Sequence, residues 1–264
     1  MKRLEKLKSI LEETGSVLIA FSGGVDSTFL LKAATLALPK NKILAVTADS
    51  PTYPKEELLF SKKIAKALGV RHKIIKTDEL LDRRFSANPA NRCYYCKSEL
   101  FSRLQELAKK EKLNFVIEGS NLTDKTDIRP GSLAKKELKV RSPLQEAGLS
   151  KDEIRTLSKR LGLVTWDKPS LACLSSRLPY GVKITKPLLQ RIEQAEASLR
   201  KMGFKQVRVR HYNGLCRIEV FKHEISRLVK ERERIVENFK RLGYRYVTID
   251  LEGYRTGSLN EVLR

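Results

Sequence analysis

Residues Ser16–Ser27 read SVLIAFSGGVDS, and the helical run TFLLKAATLAL follows directly through Leu38. The short apolar stretch predicts a buried strand. Val25, Phe29, Leu30, Ala33, Leu36 and Ala37 recur with helical period, so strand passes to helix through a tight glycine turn. Two adjacent glycines, Gly23 and Gly24, let the backbone turn sharply and approach an anion. The opening helix adds unpaired amides and the positive end of its dipole. A polyphosphate fits such a nest. An ordinary glycine-rich turn would explain the glycines but not the serines and aspartate around them. The motif is neither G-x-x-x-x-G-K-S/T nor G-x-G-x-x-G.

The same alternation continues outward. KILAVTA at 42–48 precedes a helical pattern at 54–69, RHKIIK follows at 71–76, and a helix beginning near Lys97 leads to NFVIEG at 114–119. Strands alternating with helices predict an α/β fold, a parallel sheet with helices on both faces and ligands beyond the carboxyl ends of its strands. From Asp127 to Pro143 the pattern is poor and reads as irregular. Ser150 with Glu153 forms a capping box, and Gly162 closes that helix. Residues 167–187 carry three prolines and read as a loop and linker. Beyond it, helix, strand, an Asn213-Gly214 turn, strand, helix and strand predict a small C-terminal α+β domain. The expected division is 1–180 and 181–264.

The 264-residue chain has 53 Lys and Arg against 31 Asp and Glu, a formal charge of +22 that favours anionic partners. The signs are mixed at helical spacing, as in KERERIVENFKR, which suits solvated helix faces. No apolar run reaches the roughly 20 residues of a membrane span, and no signal-peptide pattern opens the chain. A cytoplasmic protein is expected. In a reducing compartment a disulfide is the least favoured role for the Cys93-x-x-Cys96 pair, leaving zinc and an iron-sulfur cluster open.

SGGVDS resembles the PP-loop of the N-type ATP pyrophosphatases, which cleave ATP between its α and β phosphates and adenylate a substrate oxygen. The resemblance implies an adenine nucleotide alpha hydrolase-like fold. Ser22, Gly23, Gly24, Ser27 and Thr28 would hold the leaving pyrophosphate, and Asp26 would carry Mg. Asp49 and Ser50, in TADS, fall where related enzymes seat adenosine; a plain strand-end turn is the other reading. Over almost the whole chain, TADSPTYP, NRCYYCKSEL, EGSNLTD, RPG, SPLQEAGLSKDEIR and WDKPSLACLSSRLPYG together look like the LarE-type sulfur transferases of nickel-pincer nucleotide cofactor biosynthesis, which serve lactate racemase. The implied substrate is pyridinium-3,5-biscarboxylic acid mononucleotide. Each carboxylate is adenylated and converted to thiocarboxylate.

In that family the cysteine matching Cys173 is the sulfur site. Some members sacrifice its sulfur; others add a C-x-x-C pair and resemble a form in which three thiolates hold a 4Fe-4S cluster with one iron open for sulfide. Cys93, Cys96 and Cys173 match the second form. A zinc site is the rival, and Cys216 in LCRIEV reads as core filler. Lys97 and Arg177 are expected to neutralise phosphate or acyl-adenylate, and Asp124 to touch magnesium or ribose. Arg208 and Arg210 alternate on one strand face, as for an anion site or subunit contact. The expected partners are the nucleotide substrate and a sulfide donor, with self-association left open. A tRNA thiolase using the same loop is the main alternative, kept alive by the charge, and a non-enzymatic nucleotide-binding module is the third class.

Overall fold

The computed structural model describes residues 2–126, 130–169, 172–255 and 257–263. They form two compact units, 1–82 with 91–171 and 83–90 with 172–264. The sequence suggested a break after residue 180. Instead the second unit takes residues 172–180 and the short segment 83–90, because Asn88 and Ser86 carbonyls accept from the Gly181 amide at 2.9 Å and the Ile184 amide at 2.8 Å.

The first unit runs α1 (Lys2–Thr14), β1 (Val17–Ala20), α2 (Val25–Ala37), β2 (Ile43–Asp49), α3 (Lys55–Ala67) and β3 (Arg71–Lys76). After α4 (Arg83–Ser86), which belongs to the second unit, come α5 (Arg92–Lys110), β4 (Phe115–Ile117), α6 (Gly131–Glu137), α7 (Pro143–Glu146) and α8 (Lys151–Arg160). Its four strands are parallel in the order β3-β2-β1-β4, with Val17 level with Ile43 and Phe115. Strand side chains alternate between faces. Val17, Ile19, Ile43 and Ala45 therefore pack with α1, α2, α3 and α8, while Leu18, Leu44 and Val46 pack with Phe101, Leu104 and Ala108 of α5. The expected two-faced parallel sheet is present. At the exposed edge strand, Arg71 and Lys73 of β3 pair with Glu111, which blunts the edge with charge.

The capping box forms as read: the Ser150 side chain accepts from the Glu153 amide, and the Glu153 carboxylate accepts from the Ser150 amide. Gly162 closes α8 at φ +67°. The irregular reading of 127–143 is corrected by α6, a helix of seven residues; residues 127–129 lie outside the described residues. α5 also begins earlier than expected, at Arg92, so Cys93 and Cys96 lie inside its first turns rather than ahead of it.

The second unit contains α9 (Lys186–Lys201), β5 (Val207–Tyr212), β6 (Leu215–Val220), α10 (Ile225–Lys230), α11 (Arg232–Arg241) and β7 (Tyr246–Ile249). β5 and β6 are antiparallel, and β7 joins β6 in parallel. Asn213 and Gly214 take φ of 40° and 90°, the positive pair that a two-residue hairpin turn requires. A separate core of Leu199, Phe204, Val207, Val209, Ile218, Phe239 and Tyr244 supports the small α+β unit.

Candidate active site

The phosphate loop leaves β1 at its carboxyl end. Gly23 is left-handed, φ +64°, with α3 so close that a Cβ would stand 3.2 Å from Ser61 Cα. Gly24 is the N-cap of α2 and lacks a side-chain cap bond. Opening amides of a helix have no intrahelical partner. Ser22 and Ser27 hydroxyls lie 3.1 Å apart, and the Ser27 hydroxyl donates to the Gly24 carbonyl at 3.2 Å. Thr28 Oγ1 is buried without a hydrogen-bond partner, so this first turn has a polar atom in want of one. Backbone amides, clustered hydroxyls and that orphan fit phosphate oxygens.

Asp26 faces the loop after β4 and the start of α8. Its Oδ1 accepts from Asn121 Nδ2 at 3.4 Å, and its Oδ2 pairs with Lys151. Burial raises the Asp26 carboxyl; Lys151 opposes that shift, and nearby Asp124 adds to it. Asp124 in turn accepts from the Asn121 amide at 3.0 Å. Two carboxylates and a lysine thus meet at the opening of α2, a donor set suited to magnesium and phosphate together. Gly119 makes the approach feasible, since a Cβ there would sit 3.0 Å from the Ser27 amide nitrogen.

Around this centre stand groups drawn from distant sequence. Lys168 Nζ lies 2.6 Å from Glu57, 3.2 Å from the Gly23 carbonyl and 3.6 Å from the Phe60 ring centroid. Glu118, at the end of β4, accepts from Ser142 at 2.5 Å, Ser120 at 2.7 Å and Lys135 at 3.2 Å. Burial would raise its carboxyl, but Lys97 and Lys135 override this and hold it below the usual range. Lys97 of α5 therefore lies near Glu118, its ammonium 5.7 Å from the Phe101 ring. Asp49 is exposed at the end of β2, and Ser50 follows it in a turn.

Cys93 is exposed and Cys96 half-buried, one helical turn apart on α5; neither is in a disulfide. The RPG glycine explains how α6 closes on them: a Cβ at Gly131 would meet Lys97 Cδ at 2.6 Å and the Cys93 carbonyl at 3.3 Å. Cys173, half-buried, belongs to the second unit, as N-cap of a 3-10 turn at Leu174–Arg177. Cys216 is fully buried in β6, where burial pushes its thiol up to about 12, the behaviour of a filler rather than a ligand. Among the described residues no group of three or more His, Cys, Asp or Glu is gathered as a metal site within the structure.

Arg177 departs from expectation. Its guanidinium is fully buried and engaged on every side, to Glu196 at 2.7 and 3.0 Å, to the Ala172 and Cys173 carbonyls at 2.7 and 3.0 Å, and to Ser176 Oγ at 3.0 Å. It fixes the Cys173 turn instead of reaching for an anion. Arg210 is similarly held by Glu219, the Ser176 carbonyl and Ser258, while Arg208 lies 5.2 Å from the Tyr254 ring with its pKa lowered to about 10 by burial and by Arg177.

Residues 16–92 match the family described as queuosine biosynthesis protein QueC. The whole chain is similar to an uncharacterized protein of Synechocystis sp., 46% identical over 99% of this chain and 98% of the relative. It is also similar to an uncharacterized protein of Methanocaldococcus jannaschii, 31% identical over 97% and 98%. The pyridinium-3,5-bisthiocarboxylic acid mononucleotide synthase of Lactiplantibacillus plantarum is 37% identical over 97% of this chain and 93% of its own length. This chain belongs to the LarE-type sulfur transferase family. As a LarE-type sulfur transferase it is an ATP-dependent enzyme built on the PP-loop α/β fold. Several of its site residues escape sequence reasoning: Asn121, Lys151, Lys168, Glu57 and Glu118. Only Lys151 leaves a signal, because a cation in the first turn of a helix opposes the helix dipole. Among the described residues no helix is long and apolar enough to cross a membrane.

Proposed function

We propose that this enzyme adenylates the carboxylates of a pyridinium dicarboxylate mononucleotide and replaces AMP with sulfur, giving thiocarboxylates. The observation that carries the reading is the meeting of Asp26, Asp124 and Lys151 at the first turn of α2, beside the orphaned Thr28 hydroxyl. A substrate carboxylate oxygen attacks the α-phosphorus of ATP, the bond to the β-phosphate oxygen breaks, and pyrophosphate leaves. The loop amides and the Ser22, Ser27 and Thr28 hydroxyls take up the charge of that leaving group, and Asp26 with Asp124 would hold a magnesium ion, which would supply further charge neutralisation there. A sulfur nucleophile then adds to the acyl carbon and AMP departs with its electron pair, which Lys97 of α5, near Glu118, is suited to stabilise.

The sulfur half is assigned to the three cysteines of the family pattern, two in the first unit and one in the second. Cys93 and Cys96 present two thiols on one turn of α5, and Cys173 presents a third. A 4Fe-4S cluster bound by these thiolates would supply an exchangeable sulfide on the iron without a cysteine. Such a carrier is reusable, and it gives the Cys93–Cys96 pair a task that a sacrificial Cys173 would not. The test is anaerobic purification with iron, sulfide and zinc analysis, followed by turnover with ATP, sulfide and the pyridinium dicarboxylate mononucleotide. Several thiocarboxylates per chain with Cys173 unchanged in mass support the reading. Zinc in place of iron, or stoichiometric dehydroalanine at position 173, overturns the sulfide-carrier half; ATP cleavage that ignores the dicarboxylate overturns the adenylation half.

A further inference from the structure

Glu79 opens a 3-10 turn after β3 and is only 2% exposed. A carboxylate at that depth is costly unless its lone pairs are met. Two hydroxyls from the turn after β2 meet those of one oxygen: Thr52 Oγ1 donates to Glu79 Oε1 at 2.6 Å, and Ser50 Oγ donates to the same oxygen. Ser50 Oγ and Thr52 Oγ1 are 2.8 Å apart, and Ser50 Oγ accepts from the Thr52 amide at 3.0 Å. One carboxylate oxygen therefore fixes both ends of the Ser50-Pro51-Thr52 turn. The next residue, Tyr53, donates its hydroxyl to the Ser22 carbonyl, the first residue of the phosphate loop. The Tyr53 phenol is pushed far above its ordinary value by burial and by Glu57, so it stays a donor. A position needed only to fill space would hold an apolar side chain more cheaply.

We infer that Glu79 is a positioning residue for the nucleotide, clamping the turn after β2 and, through Tyr53, setting that turn in register with the phosphate loop. The inference rests on the ATP reading above. ATP spans two loops, and loops already held at the right separation need not be ordered when it binds. Ser50 and Thr52 are the clamped residues, Tyr53 is the latch, and Glu79 acts through them without touching ATP.

The discriminating experiment is equilibrium dialysis of the full chain with ATP, AMP and inorganic pyrophosphate, alongside circular dichroism. Glu79→Leu removes the acceptor and should weaken ATP and AMP about tenfold or more while leaving pyrophosphate within about twofold. Glu79→Gln keeps Oε1 and should restore ATP to within about threefold of wild type. Tyr53→Phe should weaken ATP yet leave AMP and pyrophosphate each within about twofold, because each fragment needs one loop only. Wild-type ATP and AMP affinity in Glu79→Leu refutes the clamp, as does parallel loss of pyrophosphate or failure of Glu79→Gln to rescue. If Glu79→Leu does not fold, Tyr53→Phe, lacking only one hydroxyl, decides the latch. A wild-type chain that binds pyrophosphate but not ATP would refute the functional reading itself, an outcome distinct from mutants that match an ATP-binding wild type.

Discussion

Glu196→Ala should destabilise the second unit more than any surface change in it. Glu196 is fully buried and accepts from Arg177 at 2.7 and 3.0 Å, from the Val209 amide at 3.1 Å and from Arg200 at 3.3 Å. Alanine leaves the Arg177 guanidinium in the core without its counter-ion and the Val209 amide without an acceptor. Removing one partner of a buried pair costs about 3–5 kcal/mol, a large part of the roughly 5–15 kcal/mol that holds a domain together. At a urea slope near 2 kcal/mol/M, the midpoint should fall by about 2 M. Hydrogen exchange read by mass spectrometry after urea titration separates the two units. Peptides from 172–178 and 207–212 should lose protection early, while those from β1 and β2 keep the wild-type midpoint. The pair also has a pH signature. Burial alone would raise the Glu196 carboxyl, but Arg177 overrides burial and holds it below the usual glutamate range. With the folded value depressed, this stabilisation is fully present above pH 4.5 and is lost as pH falls through the folded pKa. The variant should lack that part of the acid dependence. An unfolding free energy for 172–178 within about 0.5 kcal/mol of wild type would refute the claim that this pair holds the Cys173 turn.

Three further outcomes follow from the first unit and the cysteines. Asp26→Ala should abolish pyrophosphate release while the chain stays folded, because magnesium loses an anchor and little core is removed; wild-type release would take Asp26 out of the site. Lys151→Met removes the cation that opposes burial at Asp26, so the carboxyl should rise further and the acid limb of the pyrophosphate-release profile should move to higher pH; an unmoved limb would dissociate the pair from turnover. Cys216→Ala should keep metal content and activity, at a stability cost of about 1 kcal/mol measured by urea unfolding; loss of bound metal would show a fourth ligand.

What could be read from the sequence was what its local chemistry determines. The glycine pair, the capping box at Ser150 and Glu153, the closure at Gly162 and the Asn213-Gly214 turn each depend on a few adjacent residues, and each stands where it was read. α6 was missed because seven residues broken by RPG are too few for a period to emerge. The start of α5 was misplaced because Arg-Cys-Tyr-Tyr-Cys carries no capping signature, and Asn91 caps with no side-chain bond.

The site divides along the same line. Backbone cradles such as Gly23-Gly24 declare themselves, because a residue without a Cβ has few reasons to recur in pairs beside a helix start. Ion pairs do not, because the partner is set by the fold: Asp26 and Lys151 are 125 positions apart, and Glu57 and Lys168 are 111 apart. Arg177 shows the converse error. A cation inside a functional motif reads as a ligand for an anion, yet burial and a glutamate on α9 turn it into a brace for the cysteine beside it. Lys151 points to a usable rule. A lysine set against the dipole of its own helix gives up local stability, so an acidic partner should be sought for it elsewhere in the fold, and here that partner is the phosphate-loop aspartate.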